Sequence, residues 1–359
     1  MDGKTLVRRT NFTRIIAACA FIFATAASAG PTVKTLRVDV LYWSMNIPGQ
    51  VAMRKGLEQE AAAINRDADK KNQPRIELTP YIAGDGSAGI ERQIAQMFEA
   101  VKRKPDIIIV QPTDNAALAA PLRAANQAGI PVVAYDQYIS GGTLAAFVTS
   151  DNYQAGYLDG EYLAAHFPDS KELKLILVEY PHVSSTVERA NGLLDALRDY
   201  RQPFRILKTY EAVEPNSGAR AGAQMLRDFP ATGSVDAVFS VNDGGGLNIV
   251  EALANAGRTE IVVASIDGDP KSVDNIRAKR LTHIDAAQFC GPLGAEAMKI
   301  AYALATGKKV APHHLVPVFP ITSETLQLYP GWGGPIPPRF AKPWQARVPY
   351  WEGTVRPAK

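Results

Sequence analysis

From Leu36 almost to residue 320 the chain alternates short apolar, β-branched runs with stretches whose apolar residues recur three and four positions apart. That alternation leaves few folds open. The strand-like runs are Leu36 to Tyr42, Ile76 to Ile82, Asp106 to Gln111, Pro131 to Asp136, Leu173 to Glu179, Arg205 to Tyr210, Ala237 to Val241, Ile261 to Asp267 and Leu281 to Ala286. Helical spacing lies between them, as in Ile90, Ile94, Met97, Phe98 and Val101. Gly129 and Gly257 close two of the helical patterns, where a left-handed cap suits a residue without a Cβ. Repeated βα units build parallel sheets covered on both faces. With about 330 residues after a leader, two such lobes are expected, since single cores stop growing at roughly 250 to 300 residues.

The leader is read from Lys4, Arg8, Arg9 and Arg14, which precede an apolar run from Ile15 to Ala26 and the small residues Ala27-Ser28-Ala29. This is the pattern of a cleaved secretory signal over residues 1–29, too short to span a bilayer. Cys19 has too little apolar sequence before it for a lipoprotein signal, and Phe12 falls one place late for twin-arginine export. The chain is therefore expected in the periplasm. Its formal charge is +3, all of which resides in the leader, so the remainder is near neutral. Nucleic-acid binding needs a basic face, and none is visible. Past the leader Cys290 is the only thiol, which excludes an intramolecular disulfide and a thiolate metal cluster.

Ligands of open α/β sheets bind at the carboxyl ends of the strands, so polar residues just after strands are the candidates. They are Trp43 to Gln50, Gly84 to Ser87, Gln111 to Asn115, Asp136-Gln137, Tyr180 to Ser185, Asn242-Asp243 and Asp267 to Asp269. Amides and carboxylates dominate this set and lysine is scarce, a composition suited to hydrogen-bonding hydroxyl groups.

Enzymatic readings are weaker. Gly84, Gly86 and Gly89 match G-x-G-x-x-G but follow the second strand, and Asp106 opens a strand where a dinucleotide site would place its acid at a strand end. His182, Ser184 and Ser185 cluster in one loop without a nucleophile elbow. His313-His314 lacks a carboxylate cluster to make a metal site and reads as exposed strand. No enzyme activity, cofactor or metal is expected. Beyond Thr325 a tail rich in Pro and aromatics, including Pro330, Trp332, Trp344 and Trp351, reads as an extended strap or a docking element.

The string QPTDNAALAAPLRAANQAGIPVVAYD, TSDN at Thr149 to Asn152, VERANGL at Val187 to Leu193, SVND at Ser240 to Asp243, SIDGDP at Ser265 to Pro270 and AAQ at Ala286 to Gln288 follow one another in order. This set resembles type I periplasmic sugar-binding proteins of the ribose-binding kind over roughly Thr35 to Thr322. The resemblance implies an α/β fold of two doubly wound parallel-sheet lobes joined by a hinge of three crossings, near Ser150, Gln288 and Leu315 to Pro317. The lobes would be 34–149 plus 289–315, and 150–288 plus 316–324, with 325–359 as the tail. It implies that Asp136 accepts hydrogen bonds from ligand hydroxyls, that Arg189 donates from the opposite lobe, and that Asn242, Asp267 and Gln288 make further contacts. Asn242 also reads as a helix N-cap, Asp267 as a turn residue and Gln288 as a hinge residue.

Two departures stand out. Where the family places stacking aromatics the first loop has Gly49 and Gln50, so Tyr42 or Trp43 would supply the apolar wall, and strand alternation sends only one of them, here taken as Trp43, to the cleft. Gln137 stands where the ribose-type pattern has an arginine. The expected ligand is thus a sugar or polyol, carried to the permease of an ABC transporter by a monomer. Signalling through a chemoreceptor or sensor kinase is the alternative.

Overall fold

The computed structural model describes residues 1–3 and 34–358; the expected leader and its cleavage site lie outside the described residues, apart from Met1 to Gly3. A first sheet is built from β1 (Thr35–Tyr42), β2 (Arg75–Ile82), β3 (Ile107–Val110), β4 (Val132–Tyr135) and β5 (Ala146–Ser150). A second is built from β6 (Leu173–Glu179), β7 (Phe204–Glu211), β8 (Ala237–Ser240), β9 (Val262–Asp267) and β10 (Thr282–Gln288). The strands β11 (His313–Val316) and β12 (Val318–Ile321) follow, one in each sheet. Short strands close the chain's end: β13 (Phe340–Ala341) pairs with β14 (Tyr350–Trp351), and β15 (Arg356–Pro357) pairs with β11 at the edge of the first sheet.

The first sheet runs β15-β11-β5-β4-β3-β1-β2 and the second β12-β10-β9-β8-β6-β7. Within these two sheets pairing is parallel throughout except at two edges, where β15 meets β11 and β12 meets β10 antiparallel. The structure thus has the two α/β lobes expected, with mixed edges that the βα alternation does not foretell. Strands buried on both faces need no alternation, and β3, Ile-Ile-Ile-Val, is buried at every position.

Helices α1 (Pro48–Lys71), α2 (Gly86–Arg103), α3 (Ala119–Gln127) and α9 (Cys290–Ala305) cover the first sheet; α4 (Asn152–His166), α5 (Ser184–Asp199), α6 (Pro215–Asp228), α7 (Asp243–Asn255) and α8 (Pro270–Arg277) cover the second. On α2 the buried residues Gly89, Gln93, Met97 and Ala100 recur three and four apart, the stripe an amphipathic helix buries. α4 and α5 touch backbone to backbone. A Cβ on Gly156 would lie 1.8 Å from the Arg189 carbonyl oxygen, so only glycine permits this approach.

The chain passes between the sheets after Ser150, after Gln288 and at Pro317. Ser150 Oγ donates to Gln288 Oε1 at 2.7 Å and joins two of these passages. Returning to β15 makes a fourth passage, invisible in a tail without periodicity. One apolar cluster joins α1, α9 and β1 to α4, α5 and β10, so the core is continuous behind the cleft. His313 and His314 stand on a strand but are not exposed: His313 stacks on Phe147 and His314 faces Glu296 at 3.7 Å, because β15 and α9 cover them.

Candidate functional site

The carboxyl ends of β1, β4, β8, β9 and β10, the loop after β7 and the first turns of α1 and α5 converge on one cavity. All eight candidates from the sequence line it: Trp43, Gln50, Asp136, Gln137, Arg189, Asn242, Asp267 and Gln288. Tyr42 points into the core, where its hydroxyl donates to Glu58 and the Arg54 guanidinium lies over its ring.

Asp136 follows β4 in a left-handed conformation that Asp tolerates, φ 66°. Its N–H donates to Val148 O and its carbonyl accepts from Thr149 Oγ1, which fixes the turn. Gln111 Nε2 donates to Asp136 Oδ2 at 2.9 Å. Burial raises the Asp136 carboxyl to about 6, against the Gln111 hydrogen bond and the Arg189 charge, which both lower it. Gln137 Oε1 accepts from the Ser185 N–H.

From the other side, Arg189 is held by three acceptors: Nε donates to Asn152 Oδ1 at 2.9 Å, and Nη1 donates to Val241 O at 2.8 Å and Asp267 Oδ1 at 3.0 Å. Gln288 Nε2 donates to the same Asp267 oxygen at 2.6 Å. Burial pushes the Asp267 carboxyl up while Arg189 and Gln288 hold it down. Gln50 lines the cavity from the first turn of α1, and its Oε1 accepts from Ser44 N–H at 2.8 Å. Asn242 serves as N-cap of α7, its Oδ1 accepting from Gly245 N–H and its Nδ2 donating to Val213 O. Its carboxamide is thus engaged in local structure as well as lining the cavity.

The apolar part of the lining comes from Trp43, Ile47, Met53, Val183 and Val213. The cavity is small, about 30 Å³, and several of its wall groups hydrogen-bond to one another. Across the mouth, Asn115 N–H donates to His182 O, Ser184 N–H to Asn115 Oδ1, and Tyr138 N–H to Ser184 Oγ. Gly86 N–H donates to Glu214 Oε1. His182, Ser184 and Gly86, which entered the hydrolase and dinucleotide readings, are rim contacts between the lobes.

Three contributors lie outside those eight candidates, although Gln111 and Ser185 stand in the strand-end stretches named from the sequence. Gln111 bridges Trp43 and Asp136; Asn152 orients Arg189; and Ser185 Oγ, buried in the lining, has no partner among the described residues. The first two stand within the motif strings at Gln111 and Thr149 to Asn152, which is the signal that marks them. Among the described residues no group of three His, Cys, Asp or Glu side chains is arranged to hold a metal, and no helix is long and apolar enough to cross a membrane.

Comparison with known proteins places this geometry. The ribose import binding protein RbsB of Salmonella typhimurium is 25% identical over 296 residues, covering 80% of this chain and 92% of that protein. A solute binding protein of an ABC transporter from Bacillus halodurans C-125, solved with bound myo-inositol, is 22% identical with a TM-score of 0.71, covering 83% of this chain and 98% of the other. Another from Actinobacillus succinogenes 130z, with bound D-allose, gives 0.68 at 22% identity, covering 82% and 100%. At such identity the solved structures speak to the fold. Residues 38–309 match the model of the periplasmic binding protein domain, and with strand ends of two α/β lobes meeting at one cleft the chain belongs to that family, in its type I arrangement, as a binding protein and not an enzyme.

Proposed function

We propose that the protein captures a small polyhydroxylated ligand, a sugar or cyclic polyol, in the periplasm and delivers it to the permease of an ABC transporter. The observation that carries this is the cavity lining itself: two carboxylates, one guanidinium and several carboxamides around a single indole, all at strand ends or helix starts. Carboxylates accept from hydroxyls, the guanidinium donates to hydroxyl or ring oxygens, and the Trp43 ring packs on a C–H face. The names of the relatives, which carry import, weigh toward delivery over sensing.

Two lobes divided at 34–149 with 289–315, and 150–288 with 316–324, would open about the hinge to admit the ligand. The cavity of about 30 Å³ lies far below the roughly 300 Å³ and more that ligand sites occupy, which supports a site that opens to admit its ligand. A ligand that takes the equilibrium from mostly open to mostly closed must prefer the closed form by about 5.5 kcal/mol. Hydrogen bonds to Asp136 and Arg189 at roughly 1.5 to 3 kcal/mol each supply much of that.

A thermal-shift panel of D-ribose, D-allose, myo-inositol, deoxy sugars and small amino acids tests the ligand class. At about a thousand times its dissociation constant the right compound adds about 4.1 kcal/mol, a rise of several degrees in the melting midpoint. Silence from every sugar and polyol with a response to an amino acid would overturn the assignment.

A further inference from the structure

We propose that Trp332, in the C-terminal strap, is a positioning residue of the ligand cleft. The strap lies beyond residues 38–309, the part of the chain that the family model matches. Resting on the cleft reading above, the inference is that Trp332 holds Asp267 in its binding geometry and ties it to the layer of the first sheet.

Asp267 has φ 132°, a conformation ordinarily left to glycine, and such backbone persists only where its surroundings hold it. Side-chain bonds from Arg189 and Gln288 fix its carboxylate, but they do not fix its peptide. The peptide that follows is held at both ends: its Gly268 N–H donates to Asp285 Oδ1 at 2.9 Å, and its carbonyl, that of Asp267, accepts the Trp332 indole Nε1–H at 2.6 Å. Tyr329, three residues earlier on the strap, reaches Gly268 O with its hydroxyl at 3.5 Å. The turn after β9 is therefore gripped from behind by the strap, while its side chain faces the cavity.

The same tryptophan is anchored on the other side of the hinge. Its carbonyl accepts the Gly291 N–H at 3.0 Å, in the first turn of α9, and its ring edge lies under Gly49 on α1. The approach is close enough that a Cβ on Gly291 would stand 3.2 Å from the Trp332 carbonyl oxygen and 3.1 Å from Gly333 Cα. One residue thus touches the turn carrying Asp267 and the helix that leaves Gln288, although it does not line the cavity. Any movement of the lobes about the Gln288 passage is felt at Trp332, and through its indole at the carboxylate that positions Arg189.

Trp351 supplies a matched control. It lies on the same strap, and its indole N–H also donates to a backbone carbonyl, that of Val318 at 2.8 Å, but it does not contact Asp267. Trp332→Phe and Trp351→Phe are compared in the full chain by thermal melting, by calorimetric titration with D-ribose, D-allose and myo-inositol, and by hydrogen exchange without sugar. The amides read are Gly268 and Asp269, which donate to Asp285 and Asp243. Trp332→Phe should weaken the tightest-binding compound about tenfold and speed exchange at both amides by a similar factor, whereas Trp351→Phe lowers only the melting midpoint. Exchange at Gly268 and Asp269 that is alike in the two variants overturns the proposal. The exchange arm needs no ligand, so it tests Trp332 separately from the cleft reading, which falls instead if Asp136→Ala and Arg189→Ala leave sugar binding intact.

Discussion

At Asp136 the proposed ligand contact and the stability of the fold meet in a single side chain. Its carboxyl is raised by burial from 3.8 to about 6, so folding takes up a proton between those values. The stability it contributes is fully present below the unfolded value and is lost as pH rises through about 6. Asp136→Asn removes that loss, keeps an acceptor for Gln111, and should raise the unfolding free energy at pH 7.5 by roughly 2 to 3 kcal/mol. Urea titrations at pH 4 and pH 7.5 check this: the gain belongs to the higher pH alone, and an equal effect at both would contradict it. Ligand hydroxyls donate to the ionised form, so affinity should fall as pH drops below about 6. Position after a strand made Asp136, Asp267 and Trp43 legible in the sequence. The sequence also marked Asn242 as the cap of α7, but it did not convey where the other bonds go: one Asp267 oxygen accepts from both Arg189 and Gln288, and Ser185 faces the cavity with a hydroxyl that has no partner among the described residues.

Arg189 reaches the cleft because α4 and α5 pack closely, and the element scale is where that depends on glycine. Gly156→Ala would drive a Cβ against the Arg189 carbonyl and separate the helices, at a cost of about 1 to 3 kcal/mol. Denaturant unfolding measures it, and sugar affinity should fall with it, since Arg189 moves with its helix; a variant as stable as the parent would show that the pair adapts. The long parallel strands and the helices between them were legible because period and composition change together at their boundaries. β5, β11 and β12 are four or five residues each, β11 begins with two histidines and β12 contains Pro320, tolerated at an edge. Such strands are set by the neighbours they pair with and not by their own pattern.

At the scale of the whole molecule the tail is an added tie. Phe340 and Trp351 stack on each other, and Phe319 of the second sheet meets the first tilted and the second edge-on; Lys342 and Trp344 bond the buried Glu161 on α4; Arg356 pairs with Asp151 and β15 extends the first sheet. Its aromatics were conspicuous in the sequence, but their partners lie far away along the chain in places and no local pattern names them. The strap thus spans both sheets behind the passages that the proposed function makes a hinge, and that proposal has the ligand held between Asp136 on one side and Arg189 on the other. Calorimetric titration of the panel's tightest sugar or polyol into the parent protein, Asp136→Ala and Arg189→Ala tests that arrangement most directly. A ligand clasped from both sides predicts saturable binding by the parent and none measurable in either variant, with circular dichroism unchanged in both; near-parental affinity in the two variants would contradict it.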